Sequence, residues 1–141
     1  MSQEIPVKVP IRPGQLRAFL ERKHRKLAVG WSEVFQLVSV RVVARAEKRF
    51  GKWVQSFERH LVEEERIVCH RQRLLGALGH LVMVELRADH RALRESIGRV
   101  LEAFDSKDYE QLSASVQALN RGLQAHSVAV ATASPSGELR V

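Results

Sequence analysis

Cysteine is almost absent from this chain: Cys69 is the single one in 141 residues. An internal disulfide and a thiolate zinc site are therefore excluded. No run of about eighteen apolar residues occurs, so no segment reads as a bilayer-spanning helix. No glycine-rich phosphate loop is present, and no serine, histidine and aspartate set or carboxylate pair is spaced for hydrolysis. Prolines are few, and Pro6, Pro10 and Pro13 all fall in the first thirteen residues. Residues 1–13 are accordingly expected to form an extended arm. The opening Met-Ser-Gln-Glu-Ile-Pro-Val lacks the basic, then apolar, then small-residue order of a secretion signal, and a cytoplasmic protein is expected.

What is present is helical periodicity. Leu16, Leu20, His24, Leu27, Trp31, Val34 and Val38 recur at helical intervals, and the β-branched cluster from Val38 to Val43 marks the expected turn. A second stripe carries Val43, Phe50, Trp53, Val54, Phe57, His60, Glu64 and Ile67 inward and fades near Cys69 and His70, before Gly76 and Gly79 suggest a loop or a loose helical start. The third holds Leu86, His90, Leu93, Ile97, Leu101 and Phe104, and the turn residues Asp105 to Asp108 end it. The fourth holds Leu112, Val116, Leu119, Leu123, His126, Val130 and Ala133 until Ser134-Pro135-Ser136-Gly137. No period-two stretch competes, so the expected fold is all-α, an up-down-up-down antiparallel four-helix bundle over residues 14–135 with a tail at 136–141. A monomer is expected, with a weak homodimer through the surplus residues Val29, Val40 and Trp53.

The net charge of +7 would suit an acidic partner, but the 23 basic residues are scattered through every helical segment. That is the pattern of solvated faces rather than of a nucleic-acid patch.

Each of the four stripes contains one histidine. A lone histidine on an apolar face is usually a satisfied core residue, but here the spacings argue for convergence. His24 and His60 are as far apart as His90 and His126. Residues at one height in an antiparallel pair are equidistant from the turn, so the turns should lie near Val42, Leu75 and Asp108. Leu75 adjoins Gly76, and Asp108 lies in a turn sequence. Four imidazoles in one core layer, with Glu64 one turn from His60, need partners that apolar neighbours do not offer, and a metal ion supplies them. His70 and His80 fall off this scheme and are expected on the surface.

The motif Phe57-x-x-His60-Leu-x-x-Glu64-Glu65, with Leu20-x-x-x-His24 before it and Asp89-His90-Arg91-x-Leu93 and His126 after it, resembles hemerythrin-like domains of the HHE cation-binding type. The resemblance implies a non-haem iron centre, usually of two irons, that binds dioxygen or serves in dioxygen, nitric oxide or redox sensing. It implies His24, His60, His90 and His126 as iron ligands and Glu64 as a bridging carboxylate. Two positions depart from the family: Val130 stands where a carboxylate is usual, and Leu86 where oxygen carriers have a further histidine. Losing hard oxygen donors weakens retention of two irons, so a single iron or zinc ion is an alternative. Glu21 and Glu85 are the carboxylates that a different helix register would bring in. The resemblance implies a binding or sensing protein, and an enzyme assignment would rest only on what open coordination positions at iron do with peroxide or oxygen. Its rivals are a metal-free scaffold with a decayed site and a module that binds protein or nucleic acid through its positive charge.

Overall fold

The computed structural model describes residues 13–73 and 76–133, and within them the side chains other than those of 13–17, 20, 71–72 and 127–133. Four helices follow one another: α1 (Pro13–Ser39), α2 (Val43–Gln72), α3 (Ala77–Ser106) and α4 (Tyr109–Ala133). No strand occurs among the described residues. Contacts run in opposite directions along each neighbouring pair. His24 meets His60 and Trp31 meets Phe50. Glu65 meets His90, while Phe50 meets Phe104. Asp89 meets His126 and Leu93 lies against Gly122, and between α1 and α4 Trp31 meets Asn120 while Val38 meets Tyr109. The four helices are thus an up-down-up-down bundle, closed by α1 against α4.

The first turn falls where the β-branched cluster predicts it, and its chemistry explains why no glycine marks it. Arg41 has φ 65°. Its N–H bonds to the Val38 carbonyl at 3.0 Å, and the Val42 N–H reaches back to the Leu37 carbonyl at 2.9 Å. This is a Schellman closure with arginine in the left-handed position that glycine usually takes. The Arg41 guanidinium lies 3.9 Å over the Tyr109 ring, whose hydroxyl donates to the Val38 carbonyl at 2.7 Å. The start of α4 therefore helps cap the end of α1. At the last turn Lys107 also adopts the left-handed conformation. Asp108 Oδ1 accepts from the N–H groups of Glu110 and Gln111 at 3.0 and 3.2 Å, an N-cap for α4.

Away from the histidines the core is aromatic. Phe50 stacks on Trp53, and Trp53 on Phe57 with centroids 4.7 Å apart. Trp31 and Phe104 pack at the edges of this ladder. Gly30 is what lets Trp53 close on α1: a Cβ there would lie 3.1 Å from Trp53 Cδ1.

Several expectations need correction. Trp53 is buried, so it contributes to the core rather than to a dimer surface, whereas Val29 and Val40 are exposed. On α3 the helical phase turns Leu101 outward and puts Val100 in the core instead. Gly79 is a buried residue inside α3, and the break precedes it at Gly76, which has φ 61°. The extended arm before Pro13, Leu75, the stop at Ser134-Pro135 and the tail at 136–141 lie outside the described residues. So do the side chains of Leu16, Leu20, Val130 and Ala133. No helix among the described residues is long and apolar enough to cross a membrane.

Candidate metal centre

Each helix delivers one imidazole to the same layer. α1 supplies His24, α2 His60, α3 His90 and α4 His126, and α2 adds Glu64 one turn beyond His60. His60, Glu64, His90 and His126 are buried, while His24 keeps 15% of its side chain exposed. The rings contact one another edge to face or tilted, with centroids 4.9 Å apart for His24 and His60, 5.4 Å for His24 and His126, and 5.2 Å for His90 and His126.

Glu64 sits at the middle of the layer. Its Oε1 lies 2.8 Å from His90 Nε2 and 3.2 Å from His126 Nε2. Its Oε2 lies 3.4 Å from His24 Nε2 and 3.8 Å from His60 Nε2. Only the His90 contact has hydrogen-bond geometry. The Nε2 atoms of His24, His60 and His126 and the Oε2 of Glu64 are buried without any hydrogen-bond partner. One donor atom from each of these four residues lies within 4.8 Å of the others. The buried His/Glu cluster has the donors and the spacing to hold a metal ion.

Behind the layer stand two carboxylates whose supporting role the sequence did not reveal. Glu65 Oε2 pairs with His90 Nδ1 at 2.6 Å, and Asp89 Oδ2 pairs closely with His126 Nδ1. Both residues belong to the motifs quoted for the hemerythrin-like resemblance, and the signal that could have found them is adjacency: each is next in sequence to Glu64 or His90. A carboxylate on Nδ1 fixes the tautomer in which Nε2 is free to bind a metal. Asp89, His90 and His126 form a second, overlapping group with ligand spacing.

The protonation pattern follows from these contacts. Burial alone would raise the Glu64 carboxyl, but His126, His24 and His90 outweigh it and hold Glu64 well below the usual carboxylate range. His60 is lowered to about 4, first by burial and then by repulsion from the other imidazoles, against the attraction of Glu64. For His126 burial again opposes the charge, yet the hydrogen bond to Asp89 and the charge of the nearby Glu64 carboxylate overcome it and raise the ring to about 9. The layer therefore sets a His126 imidazolium beside the Glu64 carboxylate, while His60 is held neutral with its Nε2 unpartnered.

His70 and His80 are exposed, as expected. Glu21 and Glu85 are exposed too and take no part in either group of potential ligands. Leu86 is partly buried and offers no donor. Comparison of the chain with protein-family models, with curated proteins and with solved structures finds no match in any of the three.

Proposed function

We propose that this bundle is a hemerythrin-like metal-binding protein whose centre is built from His24, His60, His126 and Glu64, and that it binds or senses a small diatomic ligand or redox state. One observation carries the metal: the four residues whose buried donor atoms lack a hydrogen-bond partner are also the four whose donors lie within 4.8 Å of one another. Four donors arranged tetrahedrally about 2.0–2.2 Å from one ion stand about 3.3–3.6 Å apart, so the wider pairs would close by roughly an ångström on binding. Three imidazoles and one carboxylate suit iron or zinc, and a four-donor sphere leaves room for an external ligand. The choice of iron, and of dioxygen, nitric oxide or redox state as the signal, rests on the hemerythrin-like order of motifs from Leu20-x-x-x-His24 to His126.

In this reading His90 bonds the outer oxygen of Glu64 and aims the inner one, and Asp89 and Glu65 orient the imidazoles of His126 and His90. A bound metal would supply an open coordination position. A dinuclear centre is the second reading, favoured by the way the Glu64 oxygens divide the layer. Oε2 faces His24 and His60, and Oε1 faces His90 and His126. Two ions bridged by Glu64 would then have two imidazoles each.

Elemental analysis of protein purified without a metal-affinity column separates the readings. About one ion per chain is expected, and about two would establish the dinuclear form. No metal after anaerobic reconstitution with ferrous iron or with zinc would remove the proposal and leave a metal-free scaffold. Binding of nitric oxide to the reduced, iron-loaded protein, read by its absorption spectrum, tests the diatomic ligand.

A further inference from the structure

A pocket of about 300 Å³ opens between α1 and α4 beside the candidate centre. Trp31, Phe35, Trp53 and Phe57 are among its walls. His24 and His126 also line it, and on α1 and α4 they are its last residues toward the donor layer, so the pocket ends at the centre. An apolar cavity of about 150 Å³ already admits a benzene ring, and a diatomic molecule needs far less. The space therefore exceeds what the ligand discussed above requires.

The polarity of the walls narrows the occupant. Trp31 Nε1–H is committed to Asn120 Oδ1 at 2.9 Å, and Trp53 Nε1–H to the Leu27 carbonyl at 2.9 Å. Neither indole offers a polar edge, and the buried walls along the body of the pocket are the faces of Trp31, Trp53 and Phe57, with Ser32 and Gln124 exposed and Asn120 partly buried. The buried polar atoms left without hydrogen-bond partners, His24 Nε2 and His126 Nε2, lie at one end. A ring with a single oxygen at one end matches both features.

We infer that this pocket binds a small aromatic molecule of phenol class, its ring among Trp31, Phe35, Trp53 and Phe57 and its oxygen at His24 and His126. A phenol oxygen accepts from an imidazole N–H, its hydroxyl donates to a bare imidazole nitrogen, and the same oxygen is a ligand for a metal held there. The oxygen's metal contact rests on the metal-centre reading. The seat of the ring does not.

Trp31 and Trp53 are the two tryptophans of the chain, and both line the pocket, so tryptophan emission reports its occupancy directly. The probe is p-cresol, titrated into the full chain in metal-free and zinc-loaded form, with toluene as the analogue lacking oxygen. Saturable emission change is expected in both forms, with toluene bound at least about fivefold more weakly and with zinc tightening p-cresol alone. Ala28→Phe, at an exposed lining position, should weaken p-cresol at least about tenfold while helicity by circular dichroism is kept. Should that variant lose helicity, Leu123→Phe at another lining position replaces it. Absence of saturation up to about 10 mM p-cresol in both forms, or equal affinity in a folded pocket-filling variant, overturns the inference. Saturable p-cresol binding by a protein that takes up no metal would sustain the pocket and refute the metal centre, so the two failures are distinguishable.

Discussion

Along α2, Phe50, Trp53 and Phe57 share one stripe with His60 and Glu64, and all five are buried. The first three are held by ring stacking and by Trp31 and Phe104 around them, and each indole N–H has its acceptor. One turn further, the stripe passes into a layer where three imidazole nitrogens and a carboxylate oxygen lack hydrogen-bond partners. Two stretches of equal burial thus differ in completeness. The aromatic end is finished by the chain itself, whereas the histidine layer is arranged around donors that the chain does not satisfy. Buried polar groups left in that state cost about 1–3 kcal/mol each. Under the proposal of a metal centre, the chain trades that stability for a binding site.

The contrast is broken most severely at the aromatic end. Phe50→Ala should lower the unfolding free energy by about 3–5 kcal/mol through the cavity it leaves, with metal or without, as measured by urea denaturation. His60→Leu should act in opposite directions on the two states. Metal affinity should fall at least about a hundredfold by competition with a chelator, while the metal-free protein becomes about 1–2 kcal/mol more stable because a buried unpartnered nitrogen is gone. Loss of stability in the metal-free variant would mean that the imidazole is satisfied as it stands.

The pH dependence of the metal-free protein sharpens the same point. His126 is raised from its ordinary 6.5 to about 9 in the fold, so the stability it contributes is complete below pH 6.5 and is lost as pH rises toward 9. His60 is lowered from 6.5 to about 4. Between those values the unfolded chain binds the proton first, so stability falls as pH drops from 6.5 to 4. Glu64 adds to the acid loss below its ordinary 4.5. Stability by denaturant midpoint should therefore peak near pH 6.5, with flanks on the order of 2–3 kcal/mol, and a bound metal should flatten the alkaline flank. A midpoint unchanged from pH 6.5 to 9 would mean that His126 is not held as an imidazolium.

Asp89→Asn tests the support behind the layer. It should weaken metal binding about ten- to a hundredfold, with the bundle still folded, because His126 loses the acceptor that orients it. The smallest expected effect lies at the last turn. Lys107→Gly should stabilise by about 1 kcal/mol, since Lys107 is exposed and sits at φ 61°.

Much of this arrangement was legible in the residues, and the misses have identifiable causes. Equal spacing of the two histidine pairs predicts a common height, and the turns at Val40 to Val42 and at Lys107 to Asp108 fall where that symmetry requires. The first turn is weakly marked because its left-handed residue is Arg41, stabilised by contact with Tyr109 in a distant part of the chain. Spacing alone puts Leu101 inward because intervals of three and four are both helical, and only packing against the neighbouring helices chooses Val100 over it. Periodicity places Trp53 inward, but how closely it packs on α1 follows from the approach that Gly30 permits, which has no trace in periodicity.

Periodicity and histidine spacing by themselves determined four helices, their antiparallel order and the layer in which the imidazoles lie, since each follows from repeats of 3.6 residues and from equal distances to a turn. Tertiary structure alone decided which nitrogen faces which oxygen. It set Glu65 and Asp89 behind the imidazoles, divided the two oxygens of Glu64 between pairs of histidines, and opened the aromatic pocket at the α1–α4 seam. Those features depend on side-chain directions and distances of a few tenths of an ångström between helices remote in sequence, and no periodicity along one chain encodes them.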